Sequence, residues 1–299
     1  YFESDGYPTY HLSHVVDDHE MRVSHIIRGE EWLPSIPKHL VLWKALGWKS
    51  PEFAHLPLLL NPDRTKLSKR QGDVSVEDFL TKGFLKEALL NFIVLLGWNP
   101  GIDKEIFSLD EMITAFELNN VHSSGAVFNR QKLEWINGWY IRNYDIKALV
   151  ELTRPYLEKS GLISDKTDKT FLQNAIMLER DRVKTLSQFP EVMNYFFQMP
   201  KYDRALLLWK KQVVDNAQKN LELVIKTLES VEEKNYSEKN LEKVLKDMIE
   251  KEKLGVGETL WPMRAALSGK KSSPGPFEIS AVLGKKDTIK RLRSAVKAL

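Results

Sequence analysis

The chain has 299 residues, 42% of them apolar and 28% charged, which is enough for about two or three packed domains and reads as a soluble globular protein. It contains no cysteine, which excludes disulfides, zinc–thiolate sites and thiol catalysis and suits a reducing cytosol. The net charge of +3 is unevenly spread: residues 251–299 hold 11 Lys/Arg against 4 Asp/Glu, while the preceding residues are slightly acidic, so the basic excess lies in a tail that is either a solvated helical face or a surface for a polyanion.

The first 80 residues alternate helical and extended patterns. Apolar spacing predicts a helix over 9–19, an extended run over 24–28 and a helix over 37–47. A strand-like run follows over 53–60, where Pro57 points to a strand end or edge. Such alternation implies an α/β layer. From Val76 onward the signals are helical. The segment 76–98 is amphipathic and then apolar. Its apolar part, 88–98, is interrupted by Asn91 and reaches about half the ~20 residues that cross a bilayer, so it predicts a buried helix. Ser108 opens a helix with Asp110 and Glu111 in its first turn, where carboxylates suit the helix dipole. Helices are further predicted over 129–139 with an aromatic face, over 146–159 closing at Gly161, and over 169–197 closing at Pro200. A charged helix pair is expected over 202–254, with Asn235 and Tyr236 near its turn. Short helices over 261–267 and 278–283 flank the Gly/Ser/Pro-rich loop 268–276. There is no internal repeat and no signal-peptide pattern, and a start at Tyr1 without methionine suggests a cut product.

The sharpest local signal is Lys66-Leu67-Ser68-Lys69-Arg70. Two ammonium groups bracketing a serine on a short loop suit nucleotide phosphates, although a basic pentapeptide taken alone is also a common solvated loop. Arg28 is either a two-point partner for a carboxylate or a surface ion pair with Glu30 or Glu31. On a helix over 9–19, His11, His14 and Asp18 share one face, which allows a metal-ligand reading as well as a plain polar face. Arg182, in the run ERDRVKTL, stands close to Glu179 and reads as an exposed helix charge.

KLSKR at 66–70 resembles the second signature loop of class I aminoacyl-tRNA synthetases in the form found in glutamyl enzymes. The match continues through SDGYPTYHL (4–12), VVDDH (15–19), IIRGEEW (26–32) and HLPLLLNPDRTKLSKR (55–70). It extends to GFLKEALLNFIVLLGW (83–98), FNRQKLEWINGWYIR (128–142), RVKTLSQFP (182–190) and RAALSGKKSSPGPFEI (264–279). The chain thus resembles the bacterial glutamyl-tRNA synthetase family over essentially its whole length, as its C-terminal two-thirds.

The resemblance implies a fold: an α/β fragment that is the second half of a class I nucleotide-binding fold (1–80), a helical stem-contact domain (81–145) and a helical anticodon-binding domain (146–299) with two subdomains meeting near 200. It implies ATP, Mg²⁺, L-glutamate and glutamate tRNA as substrates, cofactor and partners of a cytoplasmic monomer with no membrane association. Lys66, Ser68 and Lys69 would be catalytic, within an ATP-binding loop that also takes Leu67 and Arg70. Tyr10, His14, Arg28 and Trp32 would bind glutamate, His14 standing where the family often has asparagine. Arg182, Arg264, Ser273 and Pro276 would contact the anticodon, Arg182 at its last base. The family's earlier HIGH-type sequence does not occur; His25-Ile26-Ile27-Arg28 shares only letters with it. The expectation is therefore that this chain alone binds ATP weakly, does not aminoacylate and mainly binds tRNA. A naturally non-catalytic tRNA-binding module is the alternative. A branch restricted to modifying a tRNA nucleoside lacks the region 146–299.

Overall fold

The computed structural model describes residues 2–67, 75–122 and 125–299. The chain divides into two compact units, Tyr1–Asn137 and Gly138–Leu299. Among the described residues, no helix is long and apolar enough to cross a membrane.

The first unit begins with helix α1 (Tyr10–Glu20), strand β1 (His25–Gly29) and helix α2 (Ile36–Ala45), followed by strands β2 (Glu52–Leu56) and β3 (Leu59–Leu60). β1 and β2 are parallel, with Ile26 opposite Phe53 and Arg28 opposite His55, and α2 is the crossover between them that a parallel pair requires. Val15 of α1 packs with Leu42 and Trp43 of α2 in a small core that Leu12 and Trp48 extend. Pro57 acts on the predicted strand 53–60 as its missing N–H demands, ending one ladder so that a second begins. β3 then pairs in parallel with β4 (Ala126–Val127).

The predicted single helix 76–98 is two: α3 (Val76–Thr81) and α4 (Lys86–Gly97). Ser75 starts α3 with a reciprocal capping box to Asp78. Buried Asn137 fixes the break, its amide oxygen accepting from the Leu85 N–H at 2.8 Å and its amide nitrogen donating to the Gly83 carbonyl at 3.4 Å. Asn91, the polar interruption of the apolar run, is buried too and holds the 105–107 segment through the Glu105 carbonyl and the Phe107 N–H. Helix α5 (Leu109–Ala115) opens at Ser108, with a capping box to Glu111. The division between units falls within α6 (Arg130–Asn143).

The second unit is helical throughout its described length. α7 (Ile146–Lys159), α8 (Lys169–Glu179) and α9 (Phe189–Phe197) pack around Leu149, Leu172, Ile176, Phe189 and Met193. The predicted helix 169–197 is interrupted: α8 gives way to a single 3₁₀ turn at Arg180–Arg182 and an extended Val183. A new helix start follows, where Thr185 and Gln188 form a capping box and Pro190 occupies the first turn of α9, a position that needs no N–H. α10 (Val214–Ser230) and α11 (Glu238–Lys251) are the predicted charged pair, which pack on each other and bury Leu221 and Val224 of the one and Leu241 and Leu245 of the other. The last two helices are longer than their apolar patterns suggest. α12 spans Val256–Ser268 and α13 spans Pro276–Ala298 with a kink at Gly284. Gly269 ends α12 at φ 69°, and a Cβ there would lie 2.8 Å from the Pro200 side chain.

Candidate functional site

In the first unit, three elements bring aromatic, imidazole and guanidinium groups together. Tyr10 and His14 lie one turn apart on α1, Arg28 projects from β1, and Trp32 sits in the 3₁₀ turn Glu30–Ser35 that follows it. Tyr10 stacks on His14 with ring centroids 5.0 Å apart and meets Trp32 at 4.8 Å. The Arg28 guanidinium lies 5.5 Å from the centroid of Trp32 and 5.7 Å from that of Phe53, within cation–π range of both. All four residues expected for glutamate thus stand in one cluster. The hydroxyl-bearing Tyr10 is 51% exposed, and the guanidinium is partly buried behind it.

Buried His39 of α2 organises the cluster. Arg28 Nη2 donates to His39 Nδ1 at 3.3 Å, which leaves the proton of the neutral ring on Nε2, where it donates to His11 Nδ1 at 2.9 Å. Burial, and then the neighbouring His14, Arg28, His11 and Lys38, push the His39 pKa down to about 4. His55 opposite Arg28 is lowered as well, by burial and by the guanidinium. Arg28 is therefore a fixed cation beside two imidazoles held neutral. Its Nε is buried and has no hydrogen-bond partner, and the same is true of His14 Nε2. A buried donor without an acceptor is costly, and a bound carboxylate would supply one.

The alternative reading of Arg28, an ion pair with Glu30 or Glu31, does not form among the described residues. Glu30 accepts from the Leu58 N–H at 3.3 Å, and Glu31 lies 4.0 Å from Lys66 Nζ. The face His11, His14 and Asp18 is likewise used otherwise, since His14 Nδ1 pairs with Asp18 at 3.1 Å and His11 with His39. Among the described residues no group of three or more His, Asp or Glu side chains is placed to hold a metal ion.

Lys66 stands on a tight turn. Asn61 donates its backbone N–H to the Thr65 carbonyl, Arg64 takes φ 65°, and Asp63 accepts from both the N–H and the hydroxyl of Thr65, which lowers its pKa. Leu67 returns its N–H to the Leu59 carbonyl at 2.8 Å. Lys66 is 61% exposed, with its ammonium beside Glu31, the neighbour of Trp32. Ser68, Lys69 and Arg70 lie outside the described residues.

In the second unit, Arg182 and Arg264 come from separate elements and converge on consecutive serines of the loop after α12. Arg182 Nη2 donates to Ser272 Oγ at 2.6 Å, and Arg264 Nη1 donates to Ser273 Oγ at 3.2 Å. Arg264 also donates to the Lys271 carbonyl at 2.9 Å and lies 4.5 Å from the Trp261 ring centroid, one turn back on the same helix. Burial, together with the nearby Arg182 charge, lowers the Arg264 pKa. Lys270 is tied to the Glu191 and Val192 carbonyls of α9 and lies over the Tyr195 ring. Pro276 is buried as the first residue of α13 and shapes the end of the loop. Arg182 and Arg264 thus meet at Ser272 and Ser273, and Pro276 follows at the end of the same loop. Sequence reasoning missed His39, Ser272 and Trp261. Only Trp261 had a legible signal, its i,i+3 spacing from Arg264 on a helix. The basic excess of the tail separates into this cluster, the buried Arg291 that donates to the Leu267 carbonyl, and an exposed stripe along α13.

The family model for class I tRNA synthetases (E and Q), catalytic domain, matches residues 2–135, and the anticodon binding domain model matches 148–296. The chain is 41% identical over 303 residues to the glutamate–tRNA ligase of Clostridium kluyveri, covering 99% of this chain and 60% of that protein. It is 43% identical over 305 residues to the same enzyme of Prosthecochloris aestuarii, covering 98% and 60%. The chain therefore spans about 60% of the length of these curated relatives. Among solved structures, the glutamate tRNA ligase of Elizabethkingia meningosepticum in complex with its amino acid superposes with a TM-score of 0.88 at 30% identity, over 100% of this chain and 62% of that one. The glutamate-tRNA synthetase of Elizabethkingia anophelis gives 0.85 at 31%, over 99% and 61%. The two family models and these likenesses agree: the chain belongs to the glutamyl-tRNA synthetase family of class I aminoacyl-tRNA synthetases.

Proposed function

We propose that this chain is the part of a glutamate–tRNA ligase that completes the amino-acid and nucleotide sites and reads the tRNA. In the reaction, an oxygen of the α-carboxylate of L-glutamate attacks the α-phosphorus of ATP and pyrophosphate leaves. The terminal ribose hydroxyl of glutamate tRNA then attacks the acyl carbon and AMP leaves. Neither step needs a strong side-chain base, because positioning and charge stabilisation carry most of the acceleration.

Arg28 takes the side-chain carboxylate of glutamate through its donor edge, with Tyr10 giving a hydroxyl, His14 its free Nε2 side, and Trp32 a wall. Lys66 and Lys69 hold the departing phosphate charge, Ser68 donates beside them, and Leu67 and Arg70 complete the loop. Mg²⁺ enters with the ATP phosphates as part of the substrate. Residues 81–145 form the stem-contact region, and 146–299 the anticodon-binding region in two parts meeting near 200. The protein acts as a cytoplasmic monomer.

The observation that carries the reading is the convergence of Arg182 and Arg264 on Ser272 and Ser273, since two guanidinium groups beside a pair of loop hydroxyls are suited to hydrogen-bond and stack on unpaired bases. The test is fluorescence anisotropy of the full chain with a glutamate tRNA transcript and with the same transcript carrying an unrelated anticodon. The expected result is a preference for the glutamate anticodon that Arg264→Ala reduces by about tenfold or more, within the range that base-edge contacts contribute. Equal affinity for the two transcripts would contradict it.

A further inference from the structure

Glu179, the last residue of α8, is 1% exposed, and nothing in the reaction uses it. Its Oε1 accepts from the Tyr195 hydroxyl at 2.6 Å. Its Oε2 lies 3.3 Å from Arg182 Nε, an ion pair across the 3₁₀ turn that ends α8, and accepts no hydrogen bond. Burial raises its pKa, and Tyr195, Arg182 and Lys270 oppose that rise. Burying a carboxylate is expensive, and an apolar residue of similar volume would often do as well for stability alone. What the carboxylate adds is geometry.

A guanidinium has two hydrogen-bonding edges. The Glu179 carboxylate stands against the Nε side of Arg182 as a counter-charge, and the Nη2 group donates to Ser272 Oγ, on an exposed loop residue. The carboxylate is itself fixed. Tyr195, 2% exposed and raised in pKa so that it keeps its proton, holds one oxygen from α9. The Ser272 side of the clamp is fixed as well, by Lys270 on the α9 carbonyls and by Arg264 on Lys271 and Ser273. A long, flexible side chain that is 33% exposed is thus held in one orientation from both ends.

Resting on the assignment of Arg182 to the anticodon, we propose that Glu179 is the positioning residue that gives Arg182 its selectivity. Its charge draws the Nε side of the guanidinium inward and leaves Nη2 turned to the loop, where the Ser272 hydroxyl is the acceptor that a nucleobase replaces. An arginine freed from that restraint still attracts RNA through its charge but accepts several hydrogen-bonding patterns. Selectivity is lost before affinity.

The experiment measures the affinity of the full chain for two tRNA transcripts that differ only in the last anticodon base, C or G. Wild type prefers C. Glu179→Gln keeps the volume and an acceptor for Tyr195 but removes the charge, and is expected to shrink the preference by about tenfold with little change in affinity for the G transcript. Tyr195→Phe, which frees the carboxylate, falls between the two. Glu179→Asp is expected to rescue less than half of the lost preference, because the shorter arm cannot reach both partners. If Arg182→Gln abolishes the preference and Glu179→Gln leaves it intact, the positioning role is overturned while the anticodon assignment stands. If Arg182→Gln leaves the preference intact, the anticodon assignment falls. In that case, and also if wild type shows no preference, the lock is judged by the Arg182 Nε–Hε resonance. Its chemical shift is expected to move in Glu179→Gln as the neighbouring charge is removed, and an unchanged shift would overturn the lock itself.

Discussion

Arg28 shows how one side chain gains a role from its neighbours rather than from its own exposure. Both flanking glutamates are engaged elsewhere, His39 and His55 are held neutral beside it, and its buried Nε lacks an acceptor. Arg28→Ala is expected to weaken L-glutamate binding by about 30-fold or more, equivalent to about 2 kcal/mol for a charge pair of this kind. NMR titration of the Tyr10 and Trp32 ring signals reads it, and an unchanged affinity would reject the pairing. His39 makes a separate prediction about pH. Its pKa is lowered from 6.5 to about 4 in the folded chain. Above pH 6.5 the ring is neutral in both states; between 6.5 and 4 the unfolded chain takes the proton and the folded chain refuses it. Stability from this group is therefore full above the unfolded value and is lost as pH falls toward 4, by at most about 3 kcal/mol. Urea unfolding at several pH values is expected to show this loss in wild type and a smaller one in His39→Asn. Equal pH dependence in the two proteins would contradict it.

At the scale of elements, strongly periodic segments were legible and their interruptions were not. The capping signal at Ser108, the helix Ile146–Lys159 and the disruptive effect of Pro57 could all be read from residue types a few positions apart. The break between α3 and α4 could not, because Asn137, which stabilises it, is more than 50 residues away. The break after Glu179 had a local cause in Thr185, Gln188 and Pro190, but these signals lay inside a run whose apolar spacing continued through them. The lengths of α12 and α13 were underestimated because their polar residues serve the loop between them and the exposed stripe. That loop leads to an element-scale prediction. Gly269→Ala places a Cβ at φ 69° and 2.8 Å from Pro200. It is expected to cost about 1–2 kcal/mol in thermal or urea unfolding and to loosen the Ser272–Ser273 arm at the same time. A variant as stable as wild type would show that the α12 terminus is not under this constraint.

At the scale of the molecule, each of the two units carries one of the two clusters, and neither cluster is explained by composition alone. The KLSKR loop and the stretches around it pointed to the family because they preserve order and spacing over the whole chain. The His39 relay and the Glu179 clamp are tertiary facts, created where α2 meets β1 and where α9 meets the end of α8. The basic tail was a correct hint of charge, but its lysines and arginines divide among a loop, a buried strut and an exposed stripe, a division that only folding makes. The most direct test of the whole account is hydroxyl-radical footprinting of a glutamate tRNA transcript by the full chain. The account predicts protection centred on the anticodon loop, lost in the Arg182→Gln, Arg264→Ala double variant. Protection spread evenly along the RNA, or unchanged in the double variant, would contradict it.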